Sequence, residues 1–323
     1  MSFKEIIGNQ RPIRLLRKAV SRGHLPQAYL FLGPEGIGKK LTALTLAKAL
    51  NCLEGGEDCC DRCLSCKRIE DSNHPDVSVM GPEGQFIRIE TIRKLQRSLS
   101  FRPYEGKKRV CILDGADRMK AEGANALLKT LEEPPPDTLL ILVATQGDLL
   151  LPTIVSRCQQ LKFTPLPVDR LAGEIRRRSS IGEGEAKTLA ELSQGSLGRA
   201  LELLDHEVWQ KRPKIIQDLI DLPRGDVNRA FTLAESLADF GEDFPLVSLV
   251  MASWYRDLLV CQIEDDPSRL INRDFYQEAR ERASRSSRWS LIRRIDAINR
   301  TLKALRANVN RLLAVENLVL QLR

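Results

Sequence analysis

The sequence has little of what membrane proteins and histidine-based enzymes depend on. Its three histidines, His24, His74 and His206, lie far apart in the chain, which argues against a histidine metal cluster. No run of about 18 or more apolar residues is present, as a transmembrane helix requires. The first residues also lack the apolar stretch and cleavage site of a signal peptide. We therefore expect a cytoplasmic protein that does not associate with a membrane.

Length and charge narrow the class further. A chain of 323 residues, 42% hydrophobic and 29% charged, predicts a globular protein of two or three domains. The net charge of +7 is concentrated in residues 267–323, which contain 13 Lys and Arg against 5 Asp and Glu. A basic helical surface can bind nucleic acid or an acidic partner, and it is equally typical of an ordinary solvated helix.

Short aliphatic runs alternate with helical periodicity in the first half of the chain. The pattern predicts strands at 28–32, 77–80, 109–113, 139–144 and 160–163, separated by helices at 41–50, 90–99, 121–131 and 149–156. Strands that are apolar along their length indicate a parallel sheet covered by helices on both faces. We therefore predict an α/β fold for this part.

The pattern changes after "FTPLP", where Pro165 and Pro167 indicate a domain edge. No convincing strand follows, and the later segments have the periodicity of amphipathic helices. We predict an α/β P-loop domain at 1–165, a small helical domain at 166–207 and an all-α domain at 208–323.

A glycine-rich loop, "GPEGIGKK", follows the first strand and opens a helix, as in a P-loop. Gly33, Gly36 and Gly38 allow backbone N–H groups to converge on a phosphate. Lys39 would reach the β- and γ-phosphate oxygens, and the helix N-terminus adds partial positive charge. This context predicts a nucleotide site.

Two parts needed for ATP hydrolysis are missing. The P-loop motif ends with a Ser or Thr that binds Mg²⁺, whereas this chain has Lys40, and Thr42 lies two residues too late. Asp114 ends a strand and suits a Mg²⁺ contact, but Gly115 follows where a catalytic glutamate is expected. Binding of ATP and Mg²⁺ is therefore doubtful, and a loop without nucleotide is an equal alternative.

Five cysteines lie in one short segment, "NCLEGGEDCCDRCLSC", at residues 51–66. Cys60, Cys63 and Cys66 are evenly spaced, and with Cys52 they can form a closed, structural Zn²⁺ site. Cys59 is an alternative to Cys60. An iron–sulfur cluster and a redox dithiol are the competing interpretations.

Two polar motifs are interpreted as structural or interface elements. His74 and Asp76 in "NHPDV" precede a strand, and no nucleophile lies near them. Glu132 and Glu133 in "LEEPPP" lie at the end of a helix that prolines terminate.

Together these segments resemble the bacterial clamp-loader subunits of the AAA+ family. The resemblance rests on "AYLFLGPEGIGKK", the cysteine insertion, "HPD", "NALLKTLEEPPPDTLLILVAT" and "LLPTIVSRCQQLKF". It is dense over residues 3–205 and closest to the delta-prime branch. It implies an α/β domain, a helical lid and a helical collar that joins five subunits, with gamma/tau and delta subunits as partners. Through the complex it also implies contact with a sliding clamp and primer-template DNA.

The resemblance also implies roles for single residues. Cys52, Cys60, Cys63 and Cys66 would form the family's zinc module. Arg157 in "SRC" would be an arginine finger that acts on ATP bound by a neighbouring subunit. A simpler alternative is that Arg157 pairs with backbone carbonyls at the end of its own helix. Thr145 and Arg199 would be sensor residues of the nucleotide site.

Three functions from different classes remain open at this point. The favoured one is a delta-prime-like stator whose own ATPase activity is weak or absent. An active gamma/tau-like ATPase motor is the second. A DNA-binding zinc protein is the third, although "CCDRCLSCKR" offers little basic or aromatic surface for it.

Overall fold

Five parallel strands form the centre of the first of two units, Met1–Leu166 and Pro167–Arg323, into which the chain divides. The computed structural model describes residues 1–222, 227–307 and 309–323. In the first unit the strands are β1 (Ala28–Leu32), β2 (Val77–Met80), β3 (Arg109–Asp114), β4 (Thr138–Ala144) and β5 (Gln159–Lys162). Its helices are α1 (Gln10–Arg22), α2 (Lys39–Asn51), α3 (Leu64–Glu70), α4 (Ile89–Ser100), α5 (Ala121–Glu132) and α6 (Pro152–Val155).

The sheet order is β2-β3-β4-β1-β5, and every pairing is parallel. Successive side chains of a strand point to opposite faces, so β1 contributes to two cores. Tyr29 and Phe31 pack in one core with residues of α1 and α2, whereas Leu30 and Leu32 pack in the other with α4, α5 and α6. The predicted α/β class is confirmed.

One helix is shorter in the structure than the sequence predicts. The expected helix at 149–156 is instead a 3₁₀ turn at Gly147–Leu149 followed by α6, which is a single turn. Leu151 is extended (φ −61°, ψ 132°) because the residue before a proline avoids the helical region, and α6 can begin only at Pro152. Two helices, α1 and α3, were not predicted.

The second unit contains helices and no strand among its described residues. They are α7 (Val168–Arg178), α8 (Glu183–Leu192), α9 (Leu197–Asp205), α10 (Glu207–Ile220), α11 (Val227–Ala238), α12 (Phe244–Cys261), α13 (Tyr276–Ser284), α14 (Arg288–Arg306) and α15 (Arg311–Leu322). Asn308, within the basic segment considered for nucleic-acid binding, lies outside the described residues.

The helix α12 forms the core of the second unit. The stretch Gly241–Cys261 is long and apolar enough to cross a membrane by length and composition, but 61% of its apolar window is buried within the protein. Trp254 and Phe244 on this helix are fully buried. This burial is typical of a central helix of a helical domain.

Asp76 fixes the loop before β3. Its side chain is fully buried and accepts hydrogen bonds from the backbone N–H groups of Tyr104, Glu105 and Gly106 at 2.7–2.9 Å. The guanidinium of Arg109 donates another at 2.8 Å. Burial alone would raise the pKa of this carboxyl, but the hydrogen bonds outweigh it and hold the pKa below its ordinary value. The "HPD" motif therefore has a structural role.

We predict that Asp76→Asn lowers the free energy of unfolding by about 3–5 kcal/mol, because the change leaves Arg109 without its buried partner. The contribution of Asp76 should be complete above its ordinary pKa and be lost as pH falls through the lower pKa of the folded state. Urea unfolding as a function of pH measures both effects. Asp137→Asn, at an exposed carboxylate paired with Lys108, is the control and should have little effect. Equal stability of the Asp76 variant would contradict the assignment.

Candidate functional site

The carboxyl ends of β1, β3 and β4 meet at one edge of the sheet. Leu32 at the end of β1 is level with Ala144 at the end of β4, and Asp114 at the end of β3 is level with Val143. The P-loop therefore begins beside Asp114 and Thr145. In open parallel sheets this edge is where ligands bind.

The P-loop backbone has the conformation that its glycines allow. Gly33, Gly36 and Gly38 have positive φ values of 148°, 73° and 92°. At Gly33 a Cβ would lie 2.4 Å from the carbonyl oxygen of Phe163, so no larger residue fits. Gly38 is the N-cap of α2, and a Cβ there would meet nothing within 4 Å. The loop therefore leads into the N-terminus of α2, where partial positive charge favours an anion.

Lys39 lies folded into the loop. Its ammonium donates hydrogen bonds to the carbonyl oxygens of Gly33 and Pro34. Burial lowers its pKa, because the charged form loses solvation. The lysine is thus positioned at the loop, with its donors on the loop's own carbonyl oxygens.

The donor set at the end of β3 does not fit Mg²⁺. The Lys40 ammonium lies 3.4 Å from a carboxylate oxygen of Asp114, where a metal-binding hydroxyl would otherwise stand. The Thr42 hydroxyl donates to the Gly38 carbonyl oxygen at 2.8 Å within its own helix. A lysine has no lone pair to offer while protonated. Gly115 contributes no side chain.

Three further residues at this edge escaped the sequence analysis. Asp117 accepts hydrogen bonds from the hydroxyl and the backbone N–H of Thr145, the latter at 3.0 Å. Arg118 donates to a carboxylate oxygen of Glu35 in the P-loop at 2.8 Å. No motif marks these contacts, because each joins residues 28 or more positions apart.

Arg157 lies between α6 and β5 and is held by its own chain. Its guanidinium lies 2.6 Å from a carboxylate oxygen of Glu132 at the end of α5 and donates to the carbonyl oxygen of Thr153 at 3.0 Å. The contact with the Thr153 carbonyl is the helix-end pairing that the sequence offered as the alternative to an arginine finger. Both side chains are part-exposed, at 36% for Arg157 and 50% for Glu132.

Arg157 and the chain's own P-loop lie at opposite edges of the sheet. Because β1 and β5 are parallel, Leu32 is level with Lys162 and Tyr29 with Gln159. Arg157 precedes β5, whereas the P-loop follows β1. The length of β5 alone separates them by about 10 Å at ~3.3 Å per residue.

Arg199 belongs to the second unit, near the start of α9. Its backbone N–H donates the N-cap hydrogen bond to the Ser196 hydroxyl oxygen at 3.2 Å. Its guanidinium lies 3.5 Å from the side-chain oxygen of Gln194. Its sensor role stays a prediction.

The structure brings four of the five clustered cysteines together. The sulfurs of Cys52, Cys60, Cys63 and Cys66 all lie within 4.8 Å of one another. Cys59 is not in this group: its sulfur lies 3.7 Å from the Met1 carbonyl oxygen. The four sulfurs could hold a metal ion, and four thiolates suit Zn²⁺ in tetrahedral geometry.

Local hydrogen bonds favour ionised sulfur at one ligand. Cys63 is the N-cap of α3, and its sulfur accepts from the backbone N–H of Cys66. Burial opposes ionisation, but these and other hydrogen bonds lower the pKa of Cys63 to about 6. Burial instead raises the pKa of Cys59 to about 12, so this thiol stays protonated.

The cysteine segment is tied to the helix of the P-loop. Cys52 follows the last residue of α2 directly. Lys48, buried on α2, pairs with Asp61 at 2.5 Å and Glu70 at 3.1 Å. These ion pairs join α2 to the loop between Cys60 and Cys63 and to the end of α3.

The sheet order, the glycine loop after β1 and the helical second unit define a P-loop protein of the AAA+ type. A family model described as "DNA polymerase III, delta subunit" matches residues 8–167. DNA polymerase III subunit delta' of Bacillus subtilis is 35% identical over 100% of this chain and 98% of its own length. The corresponding subunit of Pseudomonas aeruginosa is 32% identical over 93% and 92%. The chain belongs to the DNA polymerase III delta' family, as expected from the sequence.

Proteins named as tau or gamma-related subunits are also similar to this chain. The tau subunit of Bacillus subtilis is 31% identical over 64% of this chain and 38% of its own length. A gamma subunit-related protein of Thermotoga maritima of known structure is 18% identical over 98% of this chain and 99% of that one, with a TM-score of 0.49.

Proposed function

We propose that the chain acts in a clamp loader of DNA polymerase III, in ATP-dependent loading of a sliding clamp onto primed DNA, without hydrolysing ATP itself. The observation that carries this proposal is the ion pair between Lys40 and Asp114 at the position of the missing metal. Gly115 supports it, because no carboxylate is present there to orient an attacking water. Membership of the delta' family supplies the biological setting.

The proposed partners are gamma/tau-type and delta subunits in a five-subunit ring in the cytoplasm. Contact with the clamp and with primer-template DNA would be made through this complex. In this proposal residues 1–165 are the α/β domain, 166–207 the lid and 208–323 the collar that joins the subunits.

Arg157 is proposed as the finger that acts on ATP bound by a neighbouring subunit. Its place at the sheet edge opposite the chain's own P-loop supports action on a neighbour. It is part-exposed, and its ion pair with Glu132 is of the weak surface kind, so it can exchange partners. Thr145 and Arg199 are proposed to keep the sensor positions of the family in a site that no longer hydrolyses ATP.

We predict that Arg157→Ala sharply lowers the DNA-stimulated ATPase rate of the reconstituted ring, because a finger is worth about 10³–10⁵-fold at the site it serves. Arg157→Lys should recover little of the rate, since an ammonium lacks the planar, bidentate donors of a guanidinium. ATP turnover by the ring, assembled with gamma/tau and delta of the same organism, is the measurement.

The control for this experiment is Arg93→Ala, at an exposed position on α4. Size-exclusion chromatography shows whether each variant still enters the ring. An intact ring with normal turnover would remove Arg157 from the mechanism, and brisk ATP hydrolysis by the isolated chain would favour a motor subunit instead.

The cysteine cluster is proposed to bind structural Zn²⁺ through Cys52, Cys60, Cys63 and Cys66. Four protein ligands leave no open position for water or substrate, which excludes a catalytic role for such a site. The binding free energy, about 10–16 kcal/mol in small zinc peptides, would stabilise a segment that has no large core of its own.

We predict that Cys60→Ser and Cys63→Ser lower the zinc content and the melting temperature together, because each removes one thiolate ligand. Cys59→Ser is the matched control and should keep one zinc ion per chain. Metal analysis of the purified chain and thermal unfolding are the measurements. Full zinc occupancy in Cys60→Ser, or its loss in Cys59→Ser, would show that the ligand set is wrong.

A further inference from the structure

Helix α14 has one buried and one exposed face. Leu291, Ala297 and Ile298 pack inside the second unit. The exposed residues between 288 and 303 recur at intervals of three, four and seven, so they share the opposite face of a helix with about 3.6 residues per turn. We call this surface the α14 face. It lies in the basic segment 267–323, for which the sequence allows either a binding surface or an ordinary solvated helix.

Positive charge dominates the α14 face. Four cations stand against one carboxylate, and the charged residues are Arg288, Arg293, Asp296, Arg300 and Lys303. Asp296 pairs with Arg300 at 3.4 Å, and among the described residues no carboxylate pairs with the other three cations. From Arg288 to Lys303 the face extends over about 22 Å at ~1.5 Å per residue. Cations spread over this length suit a chain of negative charges better than a single anion.

An exposed tryptophan lies among these cations. Trp289 is 72% exposed, although the large ring of a tryptophan is usually well buried, as it is at Trp254. Ile292, which is 41% exposed, follows it on the same face. Trp289 therefore offers a flat apolar ring to a partner, between Arg288 and Arg293. Solvation of a basic helix does not account for an indole ring at this position.

Hydrogen bonds fix the start of α14. The hydroxyl oxygen of Ser287 accepts from the backbone N–H of Ser290 at 3.1 Å. The side-chain amide of Gln262, at the end of α12, donates to the carbonyl oxygens of Ala283 and Ser286 at 2.9 Å and 2.7 Å. The turn before α14 is thus attached to the central helix of the unit. A surface on a fixed element has less conformational entropy to lose when it binds a partner.

Single-stranded nucleic acid is the class of ligand that matches both features of the α14 face. Proteins that bind single strands combine a track of positive charge for the backbone with aromatic side chains on which bases stack. An acidic peptide would be attracted by the same cations, but it has no base to place on Trp289. A duplex keeps its bases stacked on one another, so the indole ring would find no free base there.

We propose that the α14 face binds single-stranded DNA, with one base stacked on Trp289 and the phosphates along Arg288, Arg293 and Lys303. The inference goes beyond the proposed function, in which DNA is contacted through the assembled complex. It assigns a DNA-binding surface to this chain itself.

The experiment measures binding of the full chain to a fluorescein-labelled oligothymidine by fluorescence anisotropy over a range of salt concentrations. We expect binding that weakens with salt, with a slope of log K against log salt of about −0.7 for each phosphate contacted. Tryptophan fluorescence, followed with the unlabelled oligonucleotide, should fall as a base stacks on Trp289. No binding at low salt would overturn the proposal, and so would equally strong competition by polyglutamate.

Three variants separate stacking from charge. Trp289→Ala should weaken binding about 5- to 100-fold, which is the contribution of one stacked base. Trp289→Phe should keep most of the affinity, because a phenyl ring also stacks, but should abolish the fall in tryptophan fluorescence. The double variant Arg288→Ala/Arg293→Ala should reduce the magnitude of the salt slope by about 1.4, because two phosphate contacts are lost.

The matched control for charge is Arg170→Ala/Arg178→Ala, at two exposed positions on α7, and should bind nearly as the wild type does. Thermal unfolding shows whether each variant is folded. Unchanged binding by Trp289→Ala, or an equal loss in the control, would contradict the proposal.

Assembly of the ring supplies a second test. Size-exclusion chromatography with the partner subunits shows whether Trp289→Ala still enters the complex. Loss of assembly would show that a neighbouring subunit covers the α14 face, which overturns the proposal. The ATPase rate of the ring with Arg157→Ala tests the proposed function separately, so failure of either proposal leaves the other standing.

Discussion

The parallel pairing of β1 with β5 places the chain's own P-loop and Arg157 at opposite edges of the sheet. Parallel strands place all their carboxyl ends at one edge of the sheet, so the P-loop, Asp114 and Thr145 meet there. The same geometry places the segment before β5, with Arg157, at the other edge. In the proposed role, an arginine at that edge would act on a phosphate held by another subunit without approaching the chain's own pocket.

At the edge of the sheet that holds the P-loop, charged side chains of this chain pair with one another. Lys40 pairs with Asp114 and Arg118 pairs with Glu35, while Asp117 accepts two hydrogen bonds from Thr145. In an active P-loop protein a metal ion and its water ligands connect such groups. Here most of the side chains bind one another, which gives an ordered site without the parts needed for hydrolysis.

Much of the first unit could be predicted from sequence because its signals are local. The five strands were placed within one residue at each end, since a continuous aliphatic run is a short-range pattern. The cysteine ligands are also close in sequence, and spacing alone favoured Cys60 over Cys59. The helix expected at 149–156 is shorter in the structure because the residue before Pro152 is extended, which apolar periodicity does not show.

Contacts between distant segments could not be predicted in this way. The partner of Arg157 is Glu132, 25 residues earlier, in a motif interpreted as a helix end. The ion pair of Lys40 with Asp114 joins two motifs that lie far apart in the chain, and no pattern within either one shows that their side chains meet. Such pairs depend on strand order, which periodicity does not provide.

The setting of Arg157 affects how readily it can change partners. Its guanidinium has five N–H donors, and the contacts with Glu132 and Thr153 use two of them. Both partners lie at the surface, so water can replace the guanidinium when it leaves. In the proposed role, these two contacts would limit the rotamers of the arginine before assembly and would still be weak enough for a neighbour's triphosphate to displace them.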